Sequence, residues 1–230
     1  MKQSDLDAAF LREYAEFTSN GPIAIADALF EALSRAHAED DYERVAHIQV
    51  GLHAEMVRCL ESIGALLRAF TKWNAPSGIM TALFNYRPGD VPAFMRELSP
   101  CADPLRLLCF PSLSALSRVA KEPDIKDYYC NDELKKIIVD ISNTYLSDNV
   151  REAYNKIKHA GLYVRNPEML KPAAGKVVEG TNTYVMLYRK DSHSVDFAAF
   201  NVSGEAGLNT AKKYHRIIRT VAKRSSVIAG

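Results

Sequence analysis

The longest proline-free segment of the chain constrains the fold more than any other feature. It runs from about Tyr42 to Trp73, and apolar residues recur along it at the spacing of an amphipathic α-helix. About 30 residues at 1.5 Å each give a helix of roughly 45 Å, longer than most helices in globular proteins. A break near Gly51 is the alternative to one continuous helix. A helix of this length is typical of the spine of a helical bundle.

Two shorter helices are predicted before this spine. Ser4 and Asp5 are suited to cap the start of the first, which stops at the Ser19-Asn20-Gly21-Pro22 segment. The second is predicted from Ile23 to about His37. Because so short a connection favours antiparallel neighbours, the two are expected to form a helical hairpin.

Proline and glycine residues interrupt the segment that follows the long predicted helix. Residues 74–111 combine these residues with apolar stretches at 79–86, 93–98 and 105–110, which indicates short helices and turns rather than disorder. Helical periodicity returns from Asp124 to about Tyr145 and continues to His159.

The C-terminal third carries the clearest strand pattern. Residues 183–202 are rich in Val, Tyr, Phe and Thr around a polar turn at 189–193, which predicts a β-hairpin, and a closing helix is predicted over 205–222. The predicted fold is therefore mainly α: a single domain over 1–230, with a helical-bundle core over about 1–160 and a small C-terminal β-hairpin.

Composition excludes several classes of protein. The 29 Lys and Arg residues balance 28 Asp and Glu residues, so overall charge favours no partner. The four cysteines form no Cys-x-x-Cys pair and have no histidine cluster nearby, so no metal or other cofactor is expected. The phosphate-loop, dinucleotide-binding, nucleophile-elbow and zincin motifs are absent. With no apolar run of membrane length and no signal core at the N-terminus, a cytoplasmic protein without a membrane partner is expected.

The best candidate for chemistry is the helix end at residues 151–161. Arg151, Asn155 and His159 are four residues apart and would share one helix face, with Lys156 and Lys158 beside them. A guanidinium can bind phosphate in a forked geometry, and an imidazole can transfer a proton near neutral pH. The alternative is a structural role, because basic residues before Gly161 are also typical of an ordinary helix C-terminus.

Other polar residues are open to two interpretations as well. The closing helix is rich in basic residues, which is consistent with a nucleic-acid surface or with a solvated helix face. His47 and His53 are six residues apart, a spacing that does not bring two metal ligands to one helix face, so they are expected to be ordinary helix residues.

The segment Tyr154-Asn155-Lys156-Ile157-Lys158-His159, followed by a small residue and an apolar run, resembles the Asn-Lys-x-Lys-His-Gly segment of bacterial helical proteins related to the HEPN superfamily. The resemblance implies a helical bundle, often a homodimer. It also implies RNA or nucleotide as partner, in toxin–antitoxin or anti-phage systems. Superfamily members are metal-independent ribonucleases or non-catalytic nucleotide binders and sensors. Their active sites place four to six residues between Arg and His. This chain departs from that pattern in two ways. Seven residues separate Arg151 from His159, and Glu152 follows the arginine.

Three functions follow from these observations. In the first, the chain binds, senses or cleaves RNA or nucleotides. In a ribonuclease, His159 would be the general base or acid, Arg151 and Lys158 would hold phosphate, and Asn155 would orient the histidine or contact ribose. The second is a non-catalytic helical module for protein–protein interaction, in which His159 only caps and packs. The third is a bundle that binds a small molecule under the proline-rich segment as a lid.

Overall fold

The structure is a computed structural model that describes residues 3–16, 20–72, 78–87, 89–109, 131–147, 155, 163–164, 184–189, 193–199, 209 and 212–216. These residues are mainly helical, which confirms the predicted fold class at that level. The helices are α1 (Gln3–Glu16), α2 (Gly21–Ala38), α3 (Tyr42–Phe70), α4 (Gly78–Phe84), α5 (Asp90–Leu98), α6 (Pro104–Leu107) and α7 (Asn131–Leu146). Residues 212–216 are also helical.

The long predicted helix is present as α3, with 29 residues and no break at Gly51. Asp41 caps its start, since its Oδ1 accepts a hydrogen bond of 3.0 Å from the backbone N–H of Arg44. The Thr71 hydroxyl donates to the Arg68 carbonyl at 2.7 Å just beyond the other end. Local capping at both ends therefore delimits a helix that the apolar periodicity had predicted.

The chain divides into two compact units, each built from separated stretches of sequence. Unit A comprises Met1–Gly21, Cys59–Leu146 and Ala211–Gly230, and unit B comprises Pro22–Arg58 and Ser147–Thr210. Residues 42–58 of α3 thus belong to unit B and residues 59–70 to unit A. The single domain expected from the sequence remains a prediction.

The core of unit B joins α2 to the first part of α3. Buried Ala26 and Ala36 of α2 meet Val45, Ile48 and Leu52 of α3. Partly buried apolar side chains from both helices pack against this core: Leu29, Phe30, Ala32, Leu33 and Met56. The small residues of α2 allow close approach, and the buried apolar surface stabilises the helix pair.

Unit A packs several helices around the second part of α3. Within it, α1 packs against α4, and α5 and α6 pack against α7. A Cβ added at Gly64 would lie 2.8 Å from Cγ1 of Val91 and would also overlap Cε of Met95, so α3 and α5 approach closely there. The largest fully buried side chains are Leu11, Leu60, Ile63, Leu67, Phe70, Ile79, Met95, Leu98, Leu108 and Tyr145.

These contacts give the first two helices partners that the sequence did not predict. Within the units α2 packs on α3 and α1 packs on α4, and the hairpin of α1 with α2 that the short connection suggested remains a prediction. The proline-rich segment does contain short helices, in the form of α4, α5 and α6. The prediction was therefore accurate for local structure and incomplete for packing partners.

Three short strands form an antiparallel sheet in the order β1-β2-β3: β1 (Tyr163–Val164), β2 (Tyr184–Arg189) and β3 (Ser194–Ala199). Tyr184 is opposite Ala199, and Arg189 is opposite Ser194. His193, just before β3, adopts a φ of 49°, in the left-handed region that turns use. β2 and β3 lie within the 183–202 segment, whereas β1 was not predicted because two residues carry no periodic signal.

Among the described residues, none of the helices combines the length and the apolar character that crossing a membrane requires.

Candidate functional site

The structure describes one residue of the predicted site. Asn155 is helical, and its side chain is exposed. Arg151, Lys156, Lys158 and His159 lie outside the described residues, so their roles remain predictions. Asn155 is the middle residue of the predicted stripe, and it is open to solvent.

Part of the basic closing helix is described at residues 212–216. Lys213 and Arg216 are exposed and, being three residues apart, share a helix face. His215 is buried, with 3% of its surface exposed. Burial and, to a smaller extent, the charge of Asp140 raise the pKa of the Tyr214 phenol. The exposed cations and the buried histidine are therefore on different sides, so His215 does not contribute to the basic surface.

The other described histidines do not assemble into a site. His47 is exposed and lies 3.9 Å from Glu43, whereas His53 is buried. His193 is exposed in the turn before β3. Within the described ranges, no group of three His, Cys, Asp or Glu side chains is arranged to hold a metal ion. Cys59, Cys101 and Cys109 are free thiols.

A buried carboxylate joins α1 to the start of α4. Asp7 is 5% exposed, and its two oxygens accept hydrogen bonds of 3.1 Å from the backbone N–H groups of Ile79 and Met80. Gly78 precedes them with a φ of 68°, a conformation that favours glycine. The carboxylate thus caps a helix 72 positions away in sequence. This role is structural, because both oxygens bind backbone groups.

Two tyrosines make polar contacts between helices in unit A. The Tyr14 hydroxyl is 3.0 Å from the Ser62 hydroxyl, and the Tyr145 hydroxyl donates to Oε1 of Glu61 at 3.2 Å. Burial raises the pKa of the Tyr14 phenol, and the hydrogen bond with Ser62 acts in the opposite direction. A phenol with a raised pKa stays protonated at neutral pH and cannot serve as a base. These pairs position helices rather than perform chemistry.

Unit A also has an aromatic surface, consisting of Phe10, Tyr14, Phe84 and Tyr86. Phe84 is 71% exposed and Tyr86 is 45% exposed. The Phe10 ring lies 5.6 Å from that of Phe84 and 6.0 Å from that of Tyr14, in tilted arrangements. Tyr86 also acts to raise the pKa of the Tyr14 phenol. Phe10, Tyr14 and Phe84 therefore form one group of neighbouring rings, and the Phe84 and Tyr86 rings are open to solvent.

Sequence reasoning missed this surface because it treated residues 79–86 as one apolar stretch among short helices and turns. In the structure α4 ends at Phe84, so Tyr86 leaves the helical pattern. The signal that was available is the alternation Phe84-Asn85-Tyr86-Arg87 immediately before Pro88-Gly89. An aromatic residue at every second position before a Pro-Gly break is better suited to an extended, exposed segment than to a buried helix face.

Comparison of the chain with protein-family models, with curated protein sequences and with solved structures found no match.

Proposed function

We propose that the chain is a HEPN-like protein that binds RNA or a nucleotide through Arg151, Asn155, Lys156, Lys158 and His159, with RNA cleavage as the catalytic form of this function. The observation that carries the proposal is the helical, exposed state of Asn155. In a helix that continues over 151–159, Arg151 and His159 would lie on the same side as Asn155, one turn before and one turn after it.

The residue types suit a phosphodiester. Arg151 would bind two phosphate oxygens through its guanidinium, and the lysines would add positive charge. His159 would take the proton of a ribose 2′-hydroxyl, whose oxygen attacks the neighbouring phosphorus. The bond to the 5′-oxygen breaks, and that oxygen takes a proton from an acid, such as the same histidine of a second copy. The products are a 2′,3′-cyclic phosphate and a 5′-hydroxyl, and the reaction consumes no cofactor.

The architecture that goes with this proposal is a helical bundle built on α3, with the C-terminal β-hairpin packed on it. A homodimer would bring two stripes together. A cytoplasmic location and a role in bacterial defence or in a toxin–antitoxin pair belong to the same proposal, and they rest on the resemblance of residues 154–159.

The test measures binding and cleavage separately. Wild-type chain, Arg151→Ala and His159→Ala are titrated against a fluorescein-labelled 12-nucleotide RNA in anisotropy, and the same RNA is followed for cleavage by electrophoresis. His47→Ala is the matched control, because His47 is an exposed histidine on a different helix. We expect Arg151→Ala to weaken binding and His159→Ala to abolish cleavage while leaving binding nearly intact.

Two results would contradict the proposal. If the wild-type chain binds neither RNA nor any mononucleotide, the function itself is wrong. If it binds RNA but Arg151→Ala and His159→Ala both behave like His47→Ala, the proposed stripe is wrong. In that case a non-catalytic helical interaction module, with His159 as an ordinary helix-end residue, would be the better description.

A further inference from the structure

The most exposed apolar side chains in the described part of unit A are both aromatic. The exposed large hydrophobic residues of the described chain are Ile25 in unit B and Phe84 and Tyr86 in unit A. Planar rings present a π-face on which any nucleobase can stack, whereas a surface for docking an apolar helix typically exposes aliphatic side chains as well. The composition of this surface therefore favours a base over an apolar peptide.

The segment that carries the two rings is held at both ends. The backbone N–H of Asn85 donates to the Thr81 carbonyl at 3.0 Å, and that of Arg87 donates to Oδ2 of Asp90 at 3.0 Å. The ring of Phe10 supports Phe84 from α1. The backbone of this segment is thus held in place and the Phe84 ring is supported before any ligand arrives, which lowers the entropy cost of binding.

The same anchoring leaves one positive charge available. Asp90 forms an ion pair of 3.0 Å with the guanidinium of Arg68, so its charge is already compensated. Arg87 is exposed, and the described residues provide no ion pair for its guanidinium. The guanidinium of Arg87 is next to the exposed Tyr86 ring and is suited to bind a phosphate. The side-chain carboxamide of Asn85 offers a donor and an acceptor for a base edge.

We propose that the aromatic surface, together with Asn85 and Arg87, binds unpaired bases of single-stranded RNA. The bases stack on Phe84 and Tyr86, and the guanidinium of Arg87 contacts the adjoining phosphate. This inference rests on the proposed RNA-binding function, but it uses none of the residues 151–159. One opposing group is present: Glu13 is exposed on α1 and, three residues after Phe10, shares its helix face.

The first experiment measures binding of the full chain to a fluorescein-labelled 12-nucleotide oligouridine. Phe84→Ala is expected to raise Kd about fivefold or more, the effect of losing one base stack. Phe84→Leu, which keeps apolar surface but has no ring, should weaken binding similarly, and Phe84→Trp should retain it. A duplex of the same length should be insensitive to all three changes, because its bases are already stacked.

Charge variants provide matched controls. Arg87→Ala should weaken binding and lower the slope of log K against log salt concentration by about one. Arg12→Ala removes another exposed guanidinium, from α1. Because Arg12 lies two residues from Phe10, it is on a different side of the helix, and no change in binding is expected. Glu13→Gln should strengthen binding, because it removes the repulsive carboxylate.

The outcomes separate this inference from the proposed function. Absence of RNA binding by the wild-type chain would overturn both. Weaker binding by Arg151→Ala with unchanged binding by Phe84→Ala and Tyr86→Ala would overturn the aromatic surface alone. Weaker binding by Phe84→Ala and Tyr86→Ala with unchanged binding by Arg151→Ala would support the aromatic surface and contradict the stripe at 151–159. If Phe84→Ala loses RNA binding, Phe84→Leu keeps it, and the Phe84→Ala chain sediments as a smaller species than the wild type, the surface is a protein interface and the proposal is overturned.

A crosslinking experiment avoids dependence on substituted chains. Wild-type protein is irradiated with 5-bromouridine-labelled RNA and digested, and the crosslinked peptides are identified by mass spectrometry. Attachment within residues 84–87 is expected. Attachment only elsewhere in the chain would overturn the assignment, whatever the variants do. Circular dichroism melts of Phe84→Ala and Tyr86→Ala verify folding, which is expected because both side chains are substantially exposed.

Discussion

The two parts of α3 have the same periodic sequence and different surroundings. In residues 42–58, which belong to unit B, the polar side chains of Glu43, Arg44, His47 and Arg58 are exposed. In residues 59–70, which belong to unit A, no residue is exposed. The difference does not come from periodicity, which continues through both parts. Among the described residues, 59–70 contact α1, α5 and α7, and the core of the first part is formed with α2.

The half-buried polar residues of the second part, residues 59–70, form contacts with other helices. Glu61 accepts a hydrogen bond from Tyr145 of α7, Ser62 bonds to Tyr14 of α1, and Arg68 pairs with Asp90 of α5. Polar residues of the first part instead form contacts close in sequence, such as Arg58 with Glu55 at 2.6 Å. Polar side chains thus link helices in unit A, whereas in the first part the exposed Arg58 pairs within α3 with the buried Glu55.

The largest expected difference in stability comes from a lysine placed on the same side of α3, once in each of its two parts. Ala54 and Ala65 are eleven residues apart, about three helical turns, so their side chains leave α3 in nearly the same direction. Ala65 is 6% exposed, whereas Ala54 is half-buried. We expect Ala65→Lys to lower the free energy of unfolding by about 3 kcal/mol or more, because a buried charge has no partner. Ala54→Lys should change it by less than about 0.5 kcal/mol.

Urea denaturation followed by circular dichroism at 222 nm measures both variants. Equal loss of stability in the two would show that α3 is surrounded alike along its length, and it would break the comparison.

A second contrast concerns the two carboxylates that cap helices. Asp7→Ala should cost about 2–4 kcal/mol, since two backbone N–H groups lose a charged, buried acceptor. Asp41→Ala should cost only about 1 kcal/mol, because its bond to the Arg44 N–H is exposed and local. The same denaturation series tests both, and Asp7→Asn, which keeps one acceptor oxygen, should fall between them. A smaller effect at Asp7 than at Asp41 would contradict the assignment.

Two glycines of α3 should respond in opposite directions to alanine. At Gly64 the new methyl group would overlap Val91 and Met95, a cost of about 1–3 kcal/mol that the better helix propensity of alanine only partly offsets. At Gly51 the nearest atom is Cδ1 of Leu29 at 3.4 Å, so the propensity gain of about 0.5–1 kcal/mol should dominate. Thermal melts monitored by circular dichroism should show a lower Tm for Gly64→Ala and a higher one for Gly51→Ala. Stabilisation by both would indicate a looser contact of α3 with α5.

The smallest expected effect is pH-dependent. Tyr14→Phe should cost about 1 kcal/mol at pH 8, through loss of the hydrogen bond to Ser62. Burial raises the pKa of Tyr14 above its ordinary value of 10.0, so the unfolded chain releases this proton first as pH rises. The wild-type chain therefore loses more stability above pH 10 than the variant does, and the difference between them should shrink. Tyr214 is present in both chains, so its contribution cancels. A difference that is constant from pH 8 to pH 11 would contradict this prediction.

The sequence predicted local structure well in the described regions. The 29-residue helix and the short helices among the prolines follow from spacing and from breaker residues, which act within a few positions. It did not predict that α1 packs on α4, because the bond from Asp7 to Ile79 and Met80 joins residues with no shared local pattern.

The candidate sites were predictable to different degrees. The stripe at 151–159 was visible as helical spacing and remains a prediction, of which the structure describes Asn155 as helical and exposed. The aromatic surface was not visible, because Phe10 and Phe84 lie on helices far apart in sequence and meet only when α1 packs on α4. An apolar residue in a short segment can also be buried or exposed, and the spacing alone does not distinguish the two.

The sequence by itself determined the helical class and the length of α3, and it lacks the common nucleotide-binding and metal-binding motifs. Only the tertiary structure decided which polar residues of α3 link helices, which carboxylate caps α4 and which aromatic rings remain in solvent. The reason is physical: helix formation depends on neighbours within about one turn, whereas burial depends on elements that the chain brings together from distant positions.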